Sequence, residues 1–480
     1  MQSTPLAARA RLLWARNGSV LAYCVLGMLG VFVLGLVLEQ TQTQELYRDV
    51  EAQSVSADTR DMYPDKCRIQ NFDSLKRMSI VYTWVNGSQP CYRDLRKKHG
   101  GENAIGGSRD REIGELKYSI RSMLKFMPWH EGNIYIVSPG HIPNWVNLDH
   151  PRIKVVNQDD LFPSYAKSFL PSFNTHVIEQ FLYRIPGLSD IYMQINDDYI
   201  FTSHVGPHEF FTCDGGIRLL HEPGLISHEA PTEKKGIWVS SVLNTQQEMD
   251  LRWGQEDRYF IKHAPFIYSR RAFERIHQIF DRPLYMTLKS KFRSKPDMNI
   301  PLLHHYYMQA QGARELGIPI EVPPEEDMAG YQLIMLENGN IPKVKGIFDA
   351  VIAGTYNAKI IALNDEYNDM AVAENARWFF ETFLPEPSPF ETKAPNTALS
   401  VLDPATCQFD PTVLPPLAEA VDLSTKFKVV VRHEVRWVLF LNALLKGAGF
   451  GFGLVLVFVL YSALFDKGTK SKGTPAYDRV

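Results

Sequence analysis

Cysteine is scarce in this chain: five among 480 residues, with no Cys-x-x-Cys pair and no Cys/His cluster. Nothing in that pattern points to a zinc site. An excess of charge is also lacking, since 51 Lys and Arg stand against 54 Asp and Glu. Without a basic stripe, no nucleic-acid partner is indicated. The glycine-rich stretch GGENAIGGSRD (100–110) is not closed by Gly-Lys-Ser/Thr. It reads as a flexible loop, not a phosphate-binding P-loop. Internal repeats are absent.

Long apolar runs are present, and there are two. Val20–Leu38 holds 19 residues without a charge, about the length that spans a bilayer. Arg9, Arg11 and Arg16 precede it, and Glu39, Glu45, Asp49 and Glu51 follow. The positive-inside bias then places the N-terminus in the cytosol. A cleaved signal peptide is the rival reading, but the run ends in GLVLEQTQTQ with no small-x-small site. An uncleaved signal anchor fits better. The second run, Ala448–Phe465, is led in by Trp437–Leu445 and followed by Lys467, Lys470 and Lys472. Its glycines would weaken a soluble helix and permit close packing in a membrane.

The expected order is a cytosolic tail (1–19), a membrane span (20–38), a stem (39–77) and a folded domain (78–392). A linker (393–436), a second span (437–465) and a cytosolic tail (466–480) follow. Cys24 falls in the first span. Cys67, Cys91, Cys213 and Cys407 are luminal and even in number, which allows two disulfides in three connectivities. Asn17 and Asn86 both head glycosylation tripeptides. Asn17 is expected to be cytosolic and unmodified.

Within the domain, MSIVYTWV (78–85), NIYIVS (133–138), RIKVVN (152–157) and Ile191–Ile195 read as strands. Ile113, Leu116, Ile120, Leu124 and Met127 recur at helical spacing before Pro128. A second helix is expected over LPSFNTHVIEQFLYRI. The alternation argues for an α/β domain with a mostly parallel sheet, which binds ligands beyond the carboxyl ends of its strands. YTWVNG and QINDD both lie at such ends.

MQINDDYIF puts Asp197 and Asp198 at the mouth of an apolar strand. Adjacent carboxylates there suit a divalent cation that also grips phosphate, although a turn or cap accounts for them equally well. IIALNDE repeats the theme at Asn364 and Asp365. Glu179 lies beside the apolar face of its helix. By itself it reads as a solvated glutamate. His263 stands among apolar residues and by itself reads as a core histidine. Arg293 lies in the basic cluster KSKFRSKPDMN and suits bidentate phosphate recognition, or else a solvated loop.

Together, these segments resemble the Stealth family of sugar-1-phosphate transferases. That family includes microbial capsule polymerases and the catalytic subunit of N-acetylglucosamine-1-phosphotransferase. Four blocks stand in order over residues 79–391. SIVYTWVNGS is the first, and DREIGELKYSIRSM through INDDYIF the second. KHAPFIYSRRAFERI through DMNIPLLHHYYM is the third, and IIALNDE with FLPEPSPFE the fourth. The resemblance implies transfer of a sugar-1-phosphate from a nucleotide-diphosphate sugar to a glycan hydroxyl. A phosphodiester forms and a nucleoside monophosphate leaves. It implies a nucleotide-sugar-transferase-like fold, with Glu179, Asp198, His263 and Arg293 catalytic. Trp84, Val85, Asn86 and Gly87 lie in the donor site by the same likeness. Mg²⁺ or Mn²⁺ on Asp197 or Asp198, with Asn364 or Asp365, is expected to neutralise the diphosphate. The animal enzyme's large recognition inserts are missing between Phe201 and Lys262, so a glycan or glycoconjugate acceptor is expected. The topology fits a Golgi or other secretory-pathway membrane, and a homodimer is an open expectation. The competing readings are a metal-dependent glycosyltransferase releasing a nucleoside diphosphate and an inactive, membrane-anchored glycan-binding protein.

Overall fold

The computed structural model describes residues 63, 66–104, 111–396 and 402–409. Both apolar runs and Cys24 lie outside the described residues. Among those described, no helix is long and apolar enough to cross a membrane.

Strand β1 (Ser79–Thr83) is built from SIVYT, and Ile80, Val81 and Tyr82 are fully buried. A run apolar on both faces belongs inside a covered parallel sheet. Helix α1 (Pro90–Gly100) follows, then α2 (Glu115–Phe126). Next come β2 (Ile134–Ser138) and β3 (Ile153–Asn157), where Lys154 alone turns outward. Helix α3 (Thr175–Glu179) is capped by Asn174, whose side chain accepts the His176 N–H. It is much shorter than the expected helix; the chain continues as a 3₁₀ turn over Leu182–Arg184. Strand β4 (Ile191–Asn196) leads into the aspartate pair, and β5 (Tyr199–Phe201) departs from it.

An antiparallel ribbon then forms from β6 (His221–Leu225) and β7 (Tyr259–Ile261), with α4 (Ile237–Trp253) between them in sequence. Strand β8 (Phe266–Ser269) and α5 (Arg270–Ile279) follow, and Ser269 caps the helix through Ala272 N. Every residue of α6 (Ile300–Tyr307) is buried.

The first sheet has the order β3-β2-β1-β4-β8, parallel except for β8. Thr83 pairs with Asn196. The carboxyl ends of β1 and β4 are therefore level, and Trp84 leaves the sheet beside Asp197. A smaller sheet holds β9 (Tyr331–Glu337), β10 (Ile360–Glu366) and β5. Strand β10 runs parallel to β9 and antiparallel to β5. Helices α7 (Ile341–Ile352) and α8 (Met370–Phe383) share a second core with that sheet, where Phe348 stacks on Phe379 at 4.1 Å.

Of the three disulfide pairings open to the sequence, the structure has Cys67–Cys213 and Cys91–Cys407. Two segments read as accessory pack onto the domain. Ile69, Phe72 and Leu75, placed in the stem by sequence, are buried in the main core. Cys407 and Phe409, placed in the linker, are buried as well.

Candidate active site

At the end of β1, the Trp84 indole donates from Nε1 to Glu112 Oε2 at 2.6 Å. The other oxygen of Glu112 accepts Gly114 N at 2.8 Å. Beside them lies a pocket of about 230 Å³, lined by Trp84, Asn86, Glu112, Lys117, His141 and Leu402 among others. Of the four residues expected to meet the donor, Trp84 and Asn86 line this pocket. Val85 is half-buried and Gly87 buried, and neither is part of the lining.

Beyond β4, Asp197 belongs to a cluster of acids. Burial pushes its carboxyl well above the usual carboxylate range, and repulsion from Asp198, Glu112 and Asp365 adds to this. Glu115 is raised for the same reasons, burial first, then Glu112, Asp197 and Asp365. Burial also raises Glu112, opposed by the hydrogen bonds from Trp84 and Gly114. Like charges so placed favour protonation or a positive partner. Strand β10 docks against the aspartate pair, with Leu363 N donating to Asp198 O at 3.0 Å. Asn364 and Asp365 thus come next to Asp197 and Asp198. The Asn364 amide nitrogen, however, turns to Met335 Sδ at 3.2 Å.

Among the described residues, no three His, Cys, Asp or Glu side chains converge as metal ligands. Those residues form no closed, all-protein cation cage. The surplus of carboxylate charge fits a cation of the magnesium type. Such an ion uses one or two carboxylates and takes its remaining ligands from water and substrate phosphate.

Three of the four expected catalytic residues meet around Tyr199. Its fully buried hydroxyl has its pKa raised by burial first, then by Asp198 and Glu179. Its ring lies 5.6 Å from that of His263. Neither Tyr199 Oη nor Glu179 Oε2 has a hydrogen-bond partner within the described protein. Glu179 is inward-facing, with His176 Nδ1 3.8 Å away. Burial lowers the His263 imidazole, Glu222 opposes that, and Lys262 adds to it.

Arg293 lies exposed on a loop. The loop is braced against α3: Asn174 Nδ2 donates to Ser290 O, Phe292 O and Asp297 Oδ2. Phe292 also stacks on Phe173 at 4.9 Å. The structure therefore groups Glu179, Asp198 and His263 directly and attaches the Arg293 loop to the helix of Glu179. Sequence reasoning missed Tyr199, Glu112, Glu115 and Asn174. The one available signal was Asn174, an Asn at a helix start.

Comparison with known proteins identifies related sequences over most of the described chain. Family models match three spans: Stealth protein conserved region 1 at residues 76–104, region 2 at 109–219 and region 3 at 262–310. Together these spans hold Trp84–Gly87, Glu179, Asp197, Asp198, His263 and Arg293. An exopolysaccharide phosphotransferase of Streptomyces coelicolor is 29% identical over 324 residues, covering 66% of this chain and 52% of that protein. One from Nocardia farcinica is 28% identical over 324 residues, covering 65% and 61%. The exopolysaccharide phosphotransferase CpsY of Mycobacterium tuberculosis is 27% identical over 287 residues, covering 56% and 53%. The chain spans about half the length of the curated relatives it matches. Among solved structures, the galactosyltransferase LgtC with donor and acceptor sugar analogues aligns over 65% of this chain and 98% of its own. Its identity is 10% and its TM-score 0.33, too low to carry an argument.

Proposed function

The chain belongs to the Stealth family, and on that premise we propose that it transfers a sugar-1-phosphate from a UDP- or GDP-sugar to a glycan hydroxyl. The observation that carries this reading is the level ending of β1 and β4. It brings the Trp84 pocket next to the strand end that carries Asp197 and Asp198, with Glu179 and His263 close to Tyr199.

The acceptor oxygen attacks the β-phosphorus. A new P–O bond forms, the bond to the bridging oxygen breaks, and the nucleoside monophosphate leaves with that oxygen. Such chemistry depends mainly on positioning and charge neutralisation. The nucleotide occupies the pocket of Trp84, Asn86 and Lys117. Burial favours the neutral His263 imidazole, the form that can take the hydroxyl proton; Glu179 is the other candidate base. Arg293 faces the transferred phosphoryl. Asp197 or Asp198, with Asn364 or Asp365, would hold Mg²⁺ or Mn²⁺, which supplies charge neutralisation at the diphosphate when bound.

The test is to incubate the purified chain with individual UDP- and GDP-sugars and identify the nucleotide released. Monophosphate release that EDTA abolishes is the expected result. Diphosphate release would make it a glycosyltransferase, and no release from any donor would leave a binding protein. The runs Val20–Leu38 and Ala448–Phe465 are read as anchors in a secretory-pathway membrane such as the Golgi. Release of the protein by alkaline carbonate extraction would refute that anchoring.

A further inference from the structure

Near the start of α4, the indole of Trp238 is 46% exposed. One of its neighbours is the ring of Phe260 on β7, stacked at 5.8 Å with an interplanar angle of 21°. Phe260 itself packs against the main core, and Gly224 on β6 lies alongside its ring. One face of the indole is thus spent on a fixed aromatic ring. A rigid, exposed tryptophan of this kind offers contact area at low conformational-entropy cost. It is also costly to leave bare, because large apolar surface facing water is unfavourable.

The location gives this surface its meaning. His263 follows Phe260 by three residues, within about 10 Å of extended chain. On the other side, Asn244 Nδ2 donates to Pro296 O at 2.8 Å and Asp297 O at 3.3 Å, in the loop that carries Arg293. Asn244 is six residues along the helix from Trp238, a rise of about 9 Å. Lys295 of the same loop reaches Glu233 O at 2.7 Å, five residues before Trp238. The segment that bears the indole is therefore joined on one side to the strand that leads to His263 and on the other to the loop that bears Arg293. The Trp84 pocket gathers on the β1–β2 side of the aspartate pair, so Trp238 is not part of it.

We propose that the free face of Trp238 is a stacking subsite for a pyranose ring of the acceptor glycan. This rests on the function proposed above, in which a sugar hydroxyl must be presented to the β-phosphorus. A pyranose has an apolar C–H face and a polar rim. The negative face of the indole π-system attracts the C–H groups. The surrounding segment supplies polar partners for the hydroxyls in Glu229, Thr232, Glu233, Lys234 and Lys235, all exposed or half-exposed.

The probe is an array of defined, immobilised pyranose oligosaccharides, read with the full-length detergent-solubilised protein. Wild type, Trp238→Ala, Trp238→Gln and Trp238→Phe are compared, each with its melting temperature and its donor KM for monophosphate release. Wild type should bind a subset of the array. Trp238→Phe should stay within about threefold, and Trp238→Ala should lose tenfold or more, with donor KM moving less than twofold. Trp238→Gln replaces the alanine variant if the latter fails to fold. Equal binding by all variants, or no binding by wild type, overturns the subsite. A donor KM that rises with the loss of the indole also overturns it, by assigning Trp238 to the donor. Failure of wild type to release monophosphate instead strikes the underlying function, and this is read separately from the array.

Discussion

Asn174 Nδ2 donates to the Asp297 carboxylate across 2.8 Å, while Asn174 Oδ1 accepts the N–H of His176 at 3.1 Å. One fully buried side chain thus caps the helix that carries Glu179 and holds the loop that carries Arg293. Asp297 completes the brace by accepting Ser294 N at 2.7 Å and Ser294 Oγ at 2.6 Å. Two charged groups of opposite sign, 114 residues apart in sequence, are fixed to a common support.

Breaking that brace should lower turnover more than donor affinity. Asn174→Ala leaves buried acceptors unsatisfied, a cost of about 1–3 kcal/mol, and frees the Arg293 loop. Misplacement of a group by an ångström can cost on the order of 10²-fold in rate. Asn174→Ser retains a capping oxygen but cannot reach Asp297. Serine should therefore recover much of the lost stability without recovering kcat. Recovery of both by serine would reduce Asn174 to a helix cap.

Much of this site could be read from the sequence because its strands are buried on both faces. The runs ending at Thr83 and Asn196 are nearly all apolar, so the polar residues after them mark the sheet's carboxyl edge. The rest depends on long-range packing. Tyr199 opens a short apolar strand and looks like core; only the crossing of β5 into the second sheet sets it among Glu179, Asp198 and His263. Glu112 and Glu115 look like helix-start acids until α2 is laid against the ends of β1 and β10. Asn174 carries a cap signal that says nothing of a loop more than a hundred residues away. Disulfide pairing was open among three choices, because cysteine spacing does not encode proximity.

The acid limb of the pH–rate profile should report His263. Burial lowers its imidazole below the ordinary 6.5, against the pull of Glu222. A base must be neutral to act, so kcat/KM should hold as pH falls through 6.5 and decline only below it. Glu222→Gln removes the anion that favours the imidazolium, so the limb should move to still lower pH. A limb above 6.5, or one indifferent to Glu222, would assign the base to another group.

The fourth block of the sequence has a structural use at its last residue. Arg121 on α2 pairs with Glu391 in two parallel hydrogen bonds of 2.7 and 2.6 Å, both side chains being almost fully buried. Arg121 Nη1 also donates to Leu384 O at 2.8 Å. Arg121→Met leaves the Glu391 carboxylate buried without its cation, which should cost about 3–5 kcal/mol in denaturant unfolding. The double variant Arg121→Met/Glu391→Leu should regain most of that loss. A single variant within about 0.5 kcal/mol of wild type would show that the pair contributes nothing.

Opening the Cys91–Cys407 bond should weaken the donor pocket before it weakens the fold. The bond ties residues 402–409 to α1. The same segment supplies Leu402 to the pocket lining. It is otherwise held by Gln408 Nε2 donating to Asp159 Oδ2 at 2.9 Å and by Phe409 N donating to Gly140 O at 3.0 Å. Under the segment, burial holds the His141 imidazole at about 4, with its Nε2 3.7 Å from Cys407 Sγ. A neutral ring and two hydrogen bonds remain when the covalent tie is lost, so the segment loosens without the domain unfolding. Cys407→Ser should therefore raise donor KM several-fold with kcat nearly unchanged. The Cys67–Cys213 bond lies at the N-terminal side of the domain, away from the pocket lining. Cys213→Ser should lower the unfolding midpoint and leave donor KM alone. If both variants shift KM alike, or Cys407→Ser shifts neither parameter, residues 402–409 have no part in holding the nucleotide.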